Sequence, residues 1–214
     1  MNDYVTEDEQ VERIKQWWKD NGSSVIFGLV IGIGGLAGWR YWVDYRNNVN
    51  AEASMHFDSM VQAVEKHNSK TAIDEAMNII DDYNSTSYAE LARLTLARVY
   101  VDEKQFDKAA QQLQSVLDGK PEQPMEMLTR ERLASVQLQM GKFDDALATL
   151  NVEFPKQFAA VFEELKGDIL AARGDTKAAR AAYQSAKLAQ PAPANPQFLQ
   201  QKMDDLGTAN EMNS

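Results

Sequence analysis

The chain has no cysteine among its 214 residues. This absence excludes disulfide bonds, iron–sulfur clusters, zinc–thiolate sites and thiol catalysis. It leaves the compartment open, because a domain of this size needs no disulfide to be stable in an oxidising space.

An excess of positive charge is also missing. The 22 Lys and Arg residues stand against 32 Asp and Glu residues, which gives a formal net charge of −10. A chain of this charge repels phosphate backbones, so the composition argues against nucleic acid as a partner.

Motifs for catalysis and for metal binding are the third absence. His56 and His67 have no H-E-x-x-H context, and the aspartate pairs at 81–82, 144–145 and 204–205 have no ligand pattern around them. Solvated surface charge accounts for these residues. The sequence therefore predicts no enzyme, no cofactor and no metal site.

One long apolar run is present, from Ser23 to Val43, and it contains no charged residue before Arg40. A helix over residues 23–43 rises about 31 Å, the thickness of the hydrocarbon core of a bilayer. Its far border is Trp-Arg-Tyr-Trp rather than a small-residue cleavage site, so it is not expected to be a cleaved signal peptide. We predict a cytoplasmic tail at 1–22 and a transmembrane helix at 23–43.

Glycines recur along this predicted span. Gly28 with Gly32, and Gly34 with Gly38, are four residues apart, which is the spacing that lets a second membrane helix approach closely. The G-x-G-x-x-A string at 32–37 matches a dinucleotide-binding fingerprint, but no strand–helix–strand unit surrounds it. We expect the four glycines to serve membrane-helix packing.

The charge bias across the span is small. Arg13, Lys15 and Lys19 precede it, whereas Arg40 and Arg46 stand near its far end. The positive-inside rule therefore favours an N-terminus in the cytoplasm by a margin of one residue.

Beyond the span the sequence repeats itself. Alanines 109, 146 and 179 are 37 and 33 residues apart, and Ala76 stands 33 residues before the first of them. A period near 34 residues with two helices per unit is typical of the tetratricopeptide repeat. The predicted fold class is all-α, a transmembrane helix followed by a helical repeat (α-solenoid) domain at 44–207. Its units are a degenerate one at 50–84 and three clear ones at 90–121, 127–158 and 160–191.

The repeat pattern also predicts where the helices cross. A small residue is expected at each crossing in the first helix of a unit, and a large residue in the second helix is expected to fill the gap between units. These are the small residues Ala97, Ala134 and Gly167 and the large residues Leu113, Leu150 and Tyr183.

A capping helix is predicted after the last repeat. Pro121 and Pro191 stand where second helices should end, and a terminal helix follows at 196–206 with Asn195 as its cap and Gly207 as its stop. Repeat arrays need such a helix to cover their last apolar face. Residues 208–214 are predicted to form a flexible tail.

The repeat register predicts a binding surface, because the first helices of stacked repeats line a concave face. The side chains expected in this protein-binding groove are Leu94, Arg98, Val101, Glu131, Ser135, Leu138, Glu164 and Asp168. With one cation among eight residues, the groove is expected to take a basic and apolar partner rather than a terminal carboxylate. The alternative is ordinary solvated helix surface.

The N-terminal block resembles a known family. The strings EQVE at 9–12, KQWW at 15–18 and NG at 21–22 precede the glycine-rich span, and GWRYW at 38–42 closes it. This pattern resembles the ancillary SecYEG translocon subunit family, the YfgM-like single-span tetratricopeptide-repeat membrane proteins of Gram-negative bacteria. The resemblance extends over essentially the whole chain.

The resemblance implies a type II protein of the cell inner membrane, with its repeat domain in the periplasm. It further implies association with the SecYEG translocon and with PpiD, a membrane-anchored periplasmic chaperone, and a role in passing translocated proteins to periplasmic chaperones. Two alternatives stay open: a structural scaffold of an envelope complex, and a stress-response regulator acting through the cytoplasmic tail.

Overall fold

The computed structural model describes the backbone of residues 7–211 and the side chains of residues 8–206. Every regular element in these ranges is helical, which confirms the predicted all-α class. The helices are α1 (Glu7–Glu65), α2 (Ser69–Asp82), α3 (Ser87–Asp102), α4 (Phe106–Asp118), α5 (Gln123–Gln139), α6 (Phe143–Leu150), α7 (Ala159–Arg173), α8 (Thr176–Leu188) and α9 (Pro196–Glu211), with a 3-10 turn at Lys156–Phe158. The chain divides into two compact units, one ending at Glu52 and the next beginning at Ala53.

Helix α1 contains the predicted membrane span. Among the described helices it is the one that is long and apolar enough to cross a membrane. The apolar side chains from Val25 to Leu36 are exposed within the chain, as lipid-facing side chains must be. Residues 7–22 of the predicted tail are helical, and residues 1–6 lie outside the described part of the chain.

A shared turn relates the four repeats. The turn between the two helices of each unit contains one residue with a left-handed backbone: His67, Lys104, Gly141 and Gly174, with φ of 53°, 58°, 70° and 91°. These residues are 37, 37 and 33 residues apart, and the last two of these spacings are those between alanines 109, 146 and 179. The last turns of α1 and helix α2 therefore have the geometry of a repeat unit, although their sequence is degenerate.

The predicted helix crossings are confirmed by burial. Every small and every large residue of the pattern is buried in the core of the repeat domain. Alanines 109, 146 and 179 are each 0% exposed. The pattern thus identifies core positions correctly because burial recurs with the same period as the sequence.

The helix ends agree with the sequence in all but one place. Helices α4 and α8 end three residues before Pro121 and Pro191, and Asn195 Oδ1 accepts a hydrogen bond from the Phe198 N–H at 3.0 Å. The predicted stop at Gly207 is wrong, because α9 continues to Glu211. Glycine also adopts helical φ and ψ, and it ends a helix only where the residues around it close a left-handed cap. The predicted flexible tail is therefore helical at 208–211, and residues 212–214 lie outside the described range.

The third clear unit differs from the others in one buried pair. Gly167 replaces the alanine found at 97 and 134, and Tyr183 replaces the leucine found at 113 and 150. A Cβ atom added to Gly167 would lie 2.3 Å from the Tyr183 ring. The larger side chain on one helix therefore requires the absence of a side chain on the other.

We expect Gly167→Ala to lower the free energy of unfolding by about 1–3 kcal/mol, because the added methyl group overlaps the Tyr183 ring. Urea unfolding of the full chain in detergent micelles, followed by circular dichroism, measures the loss. The double variant Gly167→Ala/Tyr183→Leu restores the Ala–Leu pair of the other units, so it should lose less than the sum of the two single variants. Additive losses would contradict the steric coupling.

Candidate protein-binding face

Five of the eight predicted groove residues line one cavity of about 320 Å³ between α3, α4 and α5, here called the α3–α5 cavity. They are Leu94, Arg98, Val101, Glu131 and Ser135. They come together because side chains three or four residues apart on a helix share one side, and the two first helices carry equivalent sides.

The lining of the α3–α5 cavity is partly apolar and partly polar, and its apolar side chains are here called the floor. Phe106 and Leu113 of α4 contribute to the floor together with Val136 of α5. Arg132 and Gln139 also line the cavity, and neither belongs to the predicted groove. The cavity therefore offers an apolar recess with charged and amide groups beside it.

Glu131 lies in an unusual electrostatic position on this cavity. Burial raises the pKa of its carboxyl group, and the Arg132 charge opposes that shift in part. No hydrogen bond to the Glu131 carboxylate comes from the side chains and backbone that the structure describes.

Leu138, a sixth predicted groove residue, contributes to the core instead. It is half-buried and packs against the cluster that contains Met127, Ala134 and Phe162. An apolar side chain at the end of a first helix gains more from this packing than from solvent exposure.

Glu164 and Asp168 are already engaged by another part of the chain. Lys202 Nζ of α9 donates hydrogen bonds to Glu164 Oε1 at 2.9 Å and to Asp168 Oδ2 at 2.8 Å. The Tyr183 hydroxyl donates a further bond to Asp168 Oδ1 at 2.8 Å. These contacts, here called the Lys202 bridge, occupy two of the three acids of the predicted groove.

The Lys202 bridge changes the pKa of both donors. Burial lowers the pKa of Lys202, but the hydrogen bonds to Asp168 and Glu164 outweigh burial and raise it above the usual value. The pKa of Tyr183 is raised by burial first and then by the Asp168 contact. Lys202 therefore stays protonated at neutral pH and binds α9 to α7 electrostatically.

We expect Lys202→Met to lower the free energy of unfolding by about 2 kcal/mol at pH 7, because two half-buried carboxylates lose their charged partner. The pKa of Lys202 is higher in the folded chain, so its contribution is complete below the usual lysine pKa of 10.5 and is lost as pH rises through the raised value. Urea unfolding between pH 7 and pH 12 should show the parent and the variant converging at the alkaline end.

Lys187→Met is the matched control for this variant. Lys187 joins α8 to α9 through the neutral Gln200 side chain at 2.9 Å in an exposed position. Replacing Lys187 should lower the free energy of unfolding much less than replacing Lys202, and the small difference from the parent should not disappear at alkaline pH. An equal loss in both variants would contradict the role of the Lys202 bridge.

A row of half-buried to exposed apolar side chains, here called the apolar row, borders the predicted groove and was not part of it. The row consists of Leu91, Leu128 and Val161, one helical turn before the first groove residue of α3, α5 and α7, and of Phe198 at the equivalent position of α9. Leu128, Val161 and Phe198 are 37%, 43% and 50% exposed. The row repeats with the spacing of 37, 33 and 37 residues, so the alanine register extended by one turn would have identified it.

Among the side chains that the structure describes, no group of three or more His, Asp or Glu residues is placed to hold a metal ion. His56 Nδ1 lies 2.7 Å from Glu75 Oε2 and joins α1 to α2. The candidate site is therefore the face formed by the α3–α5 cavity and the apolar row.

A family model described as a tetratricopeptide repeat-like domain matches residues 15–208. The "Ancillary SecYEG translocon subunit" of Escherichia coli (strain K12) is 32% identical over 206 residues, which cover 96% of this chain and 99% of that protein. The chain belongs to the ancillary SecYEG translocon subunit family. Proteins with the same name from Haemophilus influenzae and Neisseria gonorrhoeae are 31% and 26% identical, over 86% and 96% of this chain and 89% and 100% of their own lengths.

Similarity to the ancillary SecYEG translocon subunit family extends over both parts of the chain. The matched range begins within α1, before the predicted span, and ends within α9. It therefore includes the span, the α3–α5 cavity and the Lys202 bridge.

Proposed function

We propose that this chain is a membrane-anchored, protein-binding adaptor and an ancillary subunit of the SecYEG translocon. The observation that carries this proposal is the similarity to proteins of that name over almost the whole length of both chains. The apolar row and the α3–α5 cavity support the binding role, because exposed apolar surface beside polar groups is typical of protein interaction sites.

The proposed anchor is the span in α1, in the inner membrane, with the repeat domain in the periplasm. The glycines support a contact with another membrane helix, since a Cβ atom added at Gly28, Gly32, Gly34 or Gly38 would meet nothing within 4 Å. Successive helical residues turn by about 100°, so Gly28/Gly32 and Gly34/Gly38 face different sides of α1. Each pair would therefore receive a different neighbouring helix.

The proposed role of the repeat domain is to pass translocated proteins to periplasmic chaperones, with PpiD as a further partner. Unfolded chains expose apolar side chains, and the apolar row offers a matching surface on three successive first helices. A scaffold that never touches translocating proteins would leave this row without a ligand.

We expect a photo-reactive amino acid at Leu128 to crosslink to a secreted protein arrested in the translocon, and to PpiD. The matched control is the same probe at Arg180, an exposed residue of α8 outside the candidate site. Immunoblotting of solubilised membranes identifies the products. If SecY co-purifies with the Leu128 variant but neither crosslink forms, the chain is a scaffold rather than an adaptor.

Membrane orientation can be tested with single cysteines, because the chain has none. Ser87 and Gln10 are exposed positions on the two sides of the span. In intact spheroplasts a membrane-impermeant maleimide should label Ser87→Cys at once and Gln10→Cys only after the membrane is opened. The reverse order would place the repeat domain in the cytoplasm.

A further inference from the structure

At the last three junctions of the array, one repeated position brings a side chain beside the preceding first helix. This position is Arg132 in α5, Leu165 in α7 and Lys202 in α9, with spacings of 33 and 37 residues. Leu165 packs in the cluster of Met127 and Ala134 of α5, and Lys202 contacts Glu164 and Asp168 of α7. Arg132 lines the α3–α5 cavity together with Leu94 and Arg98 of α3.

Two of these three side chains are satisfied within the chain. Leu165 is buried, and Lys202 is paired with two carboxylates. The places of those carboxylates, 70 residues earlier, are taken by Leu94 and Arg98. Arg132 therefore shares its cavity with an apolar side chain and a second guanidinium group, whereas Lys202 contacts two acids.

Neither guanidinium group on the α3–α5 cavity has a carboxylate partner in the part of the chain that the structure describes. Among the described residues, none forms an ion pair within 4.0 Å or a hydrogen bond with the guanidinium group of Arg98 or Arg132. Glu131 acts on Arg132 as a neighbouring charge, which leaves one positive charge in excess on the cavity. This excess is local, because residues 44–214 contain 18 Lys and Arg against 26 Asp and Glu.

The charge and the floor together define the ligand. One excess positive charge matches a single carboxylate and is too small for a polyphosphate. The apolar floor of Val101, Phe106, Leu113 and Val136 matches a large apolar side chain, and the volume lies at the lower end of the range for ligand pockets.

The surface around the cavity favours an internal segment over a chain terminus. On one side, Phe57 and Val61 of α1 occupy the register of Leu94 and Arg98 and are half-buried. On the other side, the apolar row continues through Val161 to Phe198. A chain that passes through the cavity covers both sides, whereas one that ends there covers a single side.

We propose that the α3–α5 cavity binds an internal segment of another protein that carries a large apolar side chain with an Asp or Glu close beside it. The apolar side chain enters the recess and the carboxylate lies between Arg98 and Arg132. This inference rests on the proposed function in that the ligand is a protein. The charge of the proposed ligand is opposite to that of the basic partner expected from the sequence. The difference arises because Lys202 pairs with two acids of the predicted groove and Arg132 adds a positive charge to the cavity.

Fluorescence anisotropy with labelled peptides tests the proposal on the full chain in detergent micelles. The probes are blocked nonapeptides of Gly and Ser with a central Leu-Glu, Leu-Gln, Ala-Glu or Leu-Lys, and one Gly/Ser peptide ending in a free C-terminal Leu. We expect the Leu-Glu peptide to bind about tenfold more tightly than the other four, because it alone supplies both groups in mid-chain. Arg98→Gln and Arg132→Gln should each weaken Leu-Glu binding about tenfold and leave Leu-Gln binding unchanged.

Two further variants separate charge from structure. Arg132→Lys keeps the charge and should recover part of the binding, whereas Arg180→Gln removes an exposed arginine of α8 and should change nothing. Equal affinity for Leu-Glu and Leu-Gln, tighter binding of Leu-Lys or of the free terminus, or insensitivity to both cavity arginines would each overturn the proposal.

The peptide test and the crosslinking test fail independently. If Leu-Glu selectivity is absent while the Leu128 probe still crosslinks to the arrested protein, this inference alone is overturned. If selectivity is present while that probe captures neither the arrested protein nor PpiD, the proposed adaptor function is overturned and the cavity serves another protein.

Discussion

Neighbouring helices in the repeat domain approach closely where one of them carries a small residue, and the rest of the fold depends on this contact. Ala97, Ala134 and Gly167 recur at one position of the first helices and are buried. Each crossing therefore has nearly the same geometry, so residues one or two turns away recur on the same face of the array. The candidate binding face is a direct consequence of this repetition.

The same contact explains why the fold could be predicted from sequence. Close packing fixes the identity of the small residue and the size of its partner, so both leave a periodic trace. Helix ends are harder to predict from the sequence, because glycine occurs both in turns and within helices. Gly141 and Gly174 have left-handed backbones in turns, whereas Gly167 lies within a helix under a tyrosine ring and Gly207 lies within α9.

The candidate site was predicted less completely, for a different physical reason. The register identifies the face of a helix, and five of the eight predicted residues do meet in one cavity. The register does not show how far a long side chain reaches, so the bond from Lys202 to Glu164, 38 residues away, was not expected. Arg132 was missed because it lies one residue beyond Glu131, at the edge of the chosen face.

Arg132, Leu165 and Lys202 show how one repeated position can give three different junctions. The leucine fills its junction with apolar contact, and the lysine closes the last one by pairing with acids of α7. The arginine keeps its junction open, because a guanidinium group is too strongly solvated to be buried without a carboxylate. If the same residue occurred at this position in every unit, the junctions would be alike. Because the residue differs from unit to unit, the proposed binding site is confined to the junction that contains Arg132.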